Sequence, residues 1–157
     1  MSDSPESGSN RRSSLTPYLV VRNASEAIEF YKKAFNAEEM FRMPMPDGAI
    51  MHAEVRFGDS LVYLCDEFPE HGAKSPLAFE GTPVSLHMYV ANADAAFDQA
   101  VAAGAKVLMP LTNMFWGDRY GRLSDPYGHV WAIAQRVEDV SPEEMDRRAQ
   151  AAFGGSC

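Results

Sequence analysis

His52 and Glu54 stand two residues apart in Ile50-Met51-His52-Ala53-Glu54. If that stretch is a strand, both side chains leave it on one face. An imidazole beside a carboxylate is a general acid–base pair, or two parts of a two-His-one-carboxylate metal site. His87, in Ser85-Leu86-His87-Met88-Tyr89, is the residue that would complete such a site. A histidine on an apolar strand also serves simply to line a cavity, and His129, within a turn, reads as structural. Asp118 is the other candidate for acid–base work, although beside Arg119 it also fits an ordinary surface pair, worth little. No nucleophile elbow, phosphate loop or CxxC motif is present. Cys65 has no histidine close in sequence to activate it.

A second group of chemically useful residues lies between Met109 and Gln135. Phe115, Trp116, Tyr120, Tyr127 and Trp131 are interleaved there with Asp118, Arg119, Arg122, Asp125 and His129, and both tryptophans of the chain are among them. Rings supply contact area and polar tips supply orientation, which is what a small-molecule pocket needs. The same composition suits a hydrophobic core with a polar loop. Phe115, Trp116, Asp118 and Tyr120 are the candidate ligand-binding residues. A regular strand over 116–122 puts Trp116, Asp118 and Tyr120 on one face.

The elements that must position these residues form a repeat. A strand at 18–21 leads into a helix over 24–35. Asn23 and Glu26 have the spacing of a capping box, and Asn36 suits the left-handed cap. Ala27, Ile28 and Tyr31 share one face of that helix. Strands follow at 38–43, 49–57 and 61–65, with turns at Pro46-Asp47-Gly48 and Gly58-Asp59. After a loop over 67–82 the pattern restarts: strand 85–90, helix 93–103 between Asn92 and Gly104, then strands 106–109, 116–122 and 130–134. Val90 to Gln99 repeats Val21 to Phe30 at an offset of 69 residues, with Asn92 on Asn23 and Ala96 on Ala27. Asp125-Pro126-Tyr127-Gly128-His129 is the turn before the last strand. Two βαβββ modules result, over 15–78 and 84–136, within a domain of residues 15–140. Residues 1–14 read as a disordered tail. Residues 141–157 form a C-terminal helix and tail, begun by the capping box Ser141-Pro142-Glu143-Glu144 and docked through Met145, Ala149 and Phe153.

Two tandem βαβββ units, AIEFYKKAF in the first helix and DPYGHVW before the last strand together resemble the vicinal oxygen chelate superfamily. That superfamily holds glyoxalase I, extradiol dioxygenases and the fosfomycin and bleomycin resistance proteins. MFWGDRYG, DPYGHVWAIA and VEDVSPEEM resemble more narrowly its PhnB-like branch. The resemblance covers residues 15–145. It implies an α+β fold of the glyoxalase/bleomycin resistance/dihydroxybiphenyl dioxygenase type, with a cup between curved sheets. Resistance-type relatives work by sequestering a ligand in that cup. Metal-dependent relatives carry His, Glu or Gln on the first and last strand of each module. Those positions fall here on Thr16, Ser85, Val62 (or its neighbour Tyr63) and Ala132, none a usual metal ligand. With those positions lost, the resemblance implies a protein that binds a small hydrophobic or aromatic molecule in the cup with no cofactor, while the two reduced thiols point to the cytoplasm and the uncovered edge and apolar face of an open cup point to a homodimer. The alternatives are a divalent-metal lyase or dioxygenase with a relocated site at His52, Glu54 and His87, and a non-enzymatic structural homodimer.

Bulk properties narrow the partners. A net charge of −8 with scattered basic residues argues against a phosphate-tracking nucleic-acid surface. No apolar run reaches the length of a bilayer span. The two cysteines, Cys65 and Cys157, do not form a disulfide framework and read as reduced thiols.

Overall fold

The computed structural model describes residues 12–154. Cys157 and nearly all of the tail read as disordered lie outside the described residues. The first module runs β1 (Tyr18–Val21), α1 (Ala24–Phe35), β2 (Glu38–Pro44), β3 (Ile50–Phe57) and β4 (Ser60–Asp66). The second runs β5 (Ser85–Tyr89), α2 (Ala93–Ala103), β6 (Lys106–Asn113), β7 (Asp118–Ser124) and β8 (Val130–Arg136), followed by α3 (Pro142–Phe153). The loop between modules holds two short 3-10 turns, at Pro69–His71 and Pro76–Ala78. Each module makes its own four-stranded sheet, in the order β1-β4-β3-β2 and β5-β8-β7-β6. In each, the first and last strands pair in parallel and the others antiparallel. The tandem βαβββ repeat is thus the fold.

Local chemistry sets the helix ends. The Asn23 side chain accepts from the Glu26 N–H at 3.3 Å, and Asn92 does the same for Ala95 at 3.1 Å. Asn36 ends α1 in the left-handed region at φ 55°. Between these caps, the faces of both helices that carry Ala27, Ile28, Tyr31, Phe97 and Ala100 are buried.

One core serves both modules. Val21, Val55 and Leu64 from the first sheet join Leu123, Trp131 and Ile133 from the second around the two helices. Helices α1 and α2 pack on each other, and Gln99 donates to the Lys33 carbonyl and to Asn36 Oδ1, both at 2.8 Å. A fully buried side chain of the size of Ile28 or Leu64 contributes roughly 1.5–3 kcal/mol. Strand residues alternate between faces, so each sheet turns one face to this helical core and presents the other outward. Among the described residues, no strand of one sheet pairs with a strand of the other.

The Asp125 turn fastens the second module to the first. Its carboxylate is buried and accepts from the Tyr31 hydroxyl at 2.6 Å, from Trp131 Nε1 at 2.9 Å, and from the backbone N–H of Tyr127 and His129 at 2.9 and 3.0 Å. Burial, reinforced by Asp125, pushes the Tyr31 phenol well above its ordinary pKa. His129 Nε2 lies 2.9 Å from the Val20 carbonyl of β1. A carbonyl only accepts, so Nε2 carries the proton there. Its structural reading fits that bond. Among the described residues, no helix is long and apolar enough to cross a membrane.

Candidate functional site

The outward face of the second sheet is floored by small residues. Ala132 pairs with His87 and Arg122, and Ala134 with Tyr89 and Tyr120. Cross-strand partners share a face, so two methyl groups lie between side walls of ring and guanidinium. The His87 ring stacks on Tyr120 with centroids 5.7 Å apart and 27° between planes, and it sits 5.0 Å from the Tyr89 ring. Trp116 meets Tyr120 edge-on at 5.8 Å.

Asp118 holds this wall in place. It is 1% exposed, on a face where Tyr89 is 58% exposed. Its Oδ2 accepts from the Tyr89 hydroxyl at 2.8 Å and from Trp116 Nε1 at 3.1 Å, and its Oδ1 accepts from Arg136 Nε at 2.7 Å. A buried carboxylate is tolerable because each of these bonds is charge-assisted. Arg119 is not its partner. Adjacent strand residues point to opposite faces, and Arg119 reaches Asp94 on α2 with two bonds of 2.8 Å. The Asp118–Arg119 surface pair read from sequence is therefore replaced by Asp118–Arg136.

The strand expected over 116–122 begins only at Asp118. Trp116 belongs to the turn before it, where the Gly117 N–H bonds the Met114 carbonyl at 3.1 Å. Gly117 has φ +99°, and a Cβ there would lie 2.2 Å from the Glu138 carbonyl oxygen. This turn still brings the indole beside Asp118 and Tyr120. Phe115 packs edge-on against Trp116 at 5.1 Å and against Phe153 of α3 at 5.8 Å. Arg148 of α3 donates to the Phe115 carbonyl at 3.1 Å. All four candidate ligand-binding residues, Phe115, Trp116, Asp118 and Tyr120, thus come together. Tyr127 and Trp131 do not join them; they are buried in the core with Tyr31 and Phe30. A groove of about 880 Å³ lies along the free edge of β5, lined by His87, Tyr89, Leu61, Phe57 and Trp131.

The outward face of the first sheet carries a different set. The Tyr18 hydroxyl is 2.8 Å from His52 Nδ1, and His52 Nε2 is 3.3 Å from Glu54 Oε1. Tyr63, between them on β4, meets the His52 ring edge-on at 4.9 Å. Phe41 flanks His52 at 6.2 Å, and Arg12 comes within 4.0 Å of Glu54. Tyr18 and Tyr89 carry no motif in the sequence. The signal that marks them is parity: each lies two residues beyond a position, Thr16 or His87, that is read as facing the cup.

The donor set does not fit a metal of the kind used by metal-dependent relatives. Val62 is a core residue, its outward-facing neighbour Tyr63 offers a phenol rather than a His, Glu or Gln, Ala132 offers a methyl group, and Thr16 and Ser85 offer only hydroxyls. The relocated set is divided: His52 and Glu54 lie on the first sheet, His87 on the second. Both His52 nitrogens already have protein partners. Among the described residues, no three His, Cys, Asp or Glu side chains come together as metal ligands. Cys65 is a buried free thiol whose pKa is raised by that burial, so it is not an activated nucleophile.

Comparison with known proteins agrees with this architecture. Residues 14–133 match the family model described as the Glyoxalase/Bleomycin resistance protein/Dioxygenase superfamily. The uncharacterized protein Rv0887c of Mycobacterium tuberculosis strain H37Rv is 45% identical over 139 residues, covering 87% of this chain and 82% of that protein. The solved structure of a PhnB protein from Bacillus cereus has the same fold, with a TM-score of 0.62 at 22% identity over 78% of this chain and 99% of its own. A glyoxalase/bleomycin resistance protein/dioxygenase family enzyme from Burkholderia phytofirmans PsJN gives 0.61 at 18% identity, over 76% and 94%.

Proposed function

The chain belongs to the Glyoxalase/Bleomycin resistance protein/Dioxygenase superfamily, and we propose that within it this protein binds a small planar, hydrophobic or aromatic molecule. One observation carries the reading. A buried carboxylate, Asp118, is used to hold Trp116 and Tyr89 on an otherwise open face. Fixing aromatic groups in advance lowers the ordering cost of binding, whereas surface rings with no ligand need no such anchor. A flat ligand stacks on Trp116 or Tyr120, and His87 offers it a hydrogen bond. The family's usual metal positions do not fit a metal, so no step is assigned to one.

The proposal includes a homodimer. Phe41, Met43 and Tyr89 are 44–58% exposed, and all fall on the outward faces. Covering such rings with a second copy removes apolar area from water and turns an open face into a cup. Analytical ultracentrifugation should give a dimer at micromolar concentration; a monomer would contradict this part of the reading. Titration with a panel of small aromatic compounds, followed by tryptophan fluorescence, tests the binding itself. Quenching that is lost in Trp116→Phe supports the site. Quenching that persists unchanged in that variant places the ligand elsewhere.

A further inference from the structure

We propose that Tyr18, His52 and Glu54 form a proton relay on the outward face of the first sheet, selecting ligands or substrates that carry an acidic hydroxyl: a phenol or enol that ionises near neutral pH. This goes beyond ring stacking on the second sheet and does not depend on Trp116.

The hydrogen bonds fix a direction for the proton. A glutamate carboxylate only accepts, so His52 Nε2 carries the hydrogen of the 3.3 Å contact to Glu54. In the neutral ring Nδ1 is then the acceptor, and the Tyr18 hydroxyl donates to it at 2.8 Å. Glu54 fixes the tautomer and stands ready to stabilise an imidazolium, the arrangement that makes histidine an effective base. Tyr18 is half exposed, and its oxygen keeps lone pairs for a donor arriving from the open side.

A ligand hydroxyl that donates to Tyr18 Oη meets a complete path. Its O–H bond breaks as a new Oη–H bond forms. The original Oη–H bond breaks as Nδ1–H forms. The ligand is left as an oxyanion, Tyr18 is neutral again, and the proton rests on His52 beside Glu54. No electrons are exchanged and no co-reactant is needed. The groups facing His52 are Tyr18 from β1, Glu54 from its own strand, Tyr63 from β4, Phe41 and Met43 from β2, and Arg12 through Glu54. Partial burial, followed by the nearby Cys65, holds the Tyr18 phenol above its ordinary pKa. A relay residue has to remain protonated in just this way. The hydrogen bond is otherwise hard to explain as scaffolding, because Tyr18 is too exposed for it to add much stability.

4-Nitrophenol tests this directly, because its anion and its neutral form absorb at different wavelengths. The full-length protein is titrated with the probe at a pH where the free probe is mostly neutral. The relay predicts an ionisation ratio for bound probe about tenfold above that of free probe, one pKa unit. Tyr18→Phe and His52→Gln should each return the bound probe to the free ratio, Glu54→Gln should lower it part of the way, and Arg147→Ala should leave it at the wild-type value. Circular dichroism checks each fold; neither Tyr18 nor His52 belongs to the core, and should one variant not fold, the other decides. No enrichment of the anion with wild-type protein, or enrichment that survives Tyr18→Phe or His52→Gln, overturns the relay. Because the readout is ionisation rather than tryptophan quenching, its failure leaves the aromatic site on the second sheet standing.

Discussion

Trp116 donates its indole N–H to Asp118 at 3.1 Å, and Asp118 is 1% exposed. A buried carboxylate thereby sets the orientation of a ring on an open face. The same oxygen accepts from Tyr89, so two walls of the proposed site depend on one side chain.

Asp118→Ala removes the acceptor for Tyr89, Trp116 and Arg136 together. Hydrogen bonds to a charged group contribute about 1.5–3 kcal/mol each, but Tyr89 and Arg136 can recover water, so a net loss of about 2–3 kcal/mol is expected. Urea unfolding measures it. Aromatic-ligand affinity should fall as well, because the rings lose their fixed geometry. Unchanged affinity would separate the carboxylate from the site.

Gly117→Ala should act on the same turn through the backbone. At φ +99° an L side chain is strained, and the new Cβ would meet the Glu138 carbonyl. Strain of this kind costs about 1–3 kcal/mol. The expected result is a lower melting temperature together with an altered Trp116 emission, since the turn must open.

Tyr31→Phe tests how the modules are fastened. It removes a 2.6 Å bond to Asp125 and leaves the ring in the core. A loss of about 2 kcal/mol in unfolding free energy is expected, with no change in ligand binding.

The parts of the fold set by local chemistry are legible in the amino-acid sequence. Asn23, Asn36, Asn92 and Gly104 bracket helices whose ends are those observed, because caps act within a few residues. The repeat at an offset of 69 residues predicts both sheets. Long-range geometry is less accessible. Strand β6 extends through Pro110 to Asn113 rather than ending at 109, since on an edge strand a missing N–H can face away from the sheet. The aromatics between Met109 and Gln135 read as one group, yet Tyr127 and Trp131 go to the core while Trp116 and Tyr120 go to the open face. That division depends on strand parity and on the Gly117 turn, not on composition. The Tyr18–His52 bond is not legible either, because it spans 34 residues and crosses β4.

The C-terminal helix should loosen in acid. Glu144 is held down to about 2 by Arg147 and Arg148, below its ordinary value of 4.5. A carboxylate lowered in the folded state stabilises above its unfolded pKa, and this is lost as the pH falls from about 4.5 towards 2. Glu138, lowered by Arg148, acts in the same direction. Since Arg148 also holds the Phe115 carbonyl, helix loss and a change in Trp116 emission should coincide, with salt weakening the effect. A helical signal that stays flat across that range would contradict the coupling.

The central claim, that a small aromatic ligand binds against Trp116 and not in the core, can be read from two resonances. The chain has two tryptophans, Trp116 at the open face and Trp131 buried and bonded to Asp125. In a 15N-labelled sample each indole N–H gives its own signal, assigned with Trp116→Phe. Adding a bound aromatic compound should shift the Trp116 indole signal and leave the Trp131 signal in place. A shift confined to Trp131, or none at a concentration where binding is saturated, would contradict the account.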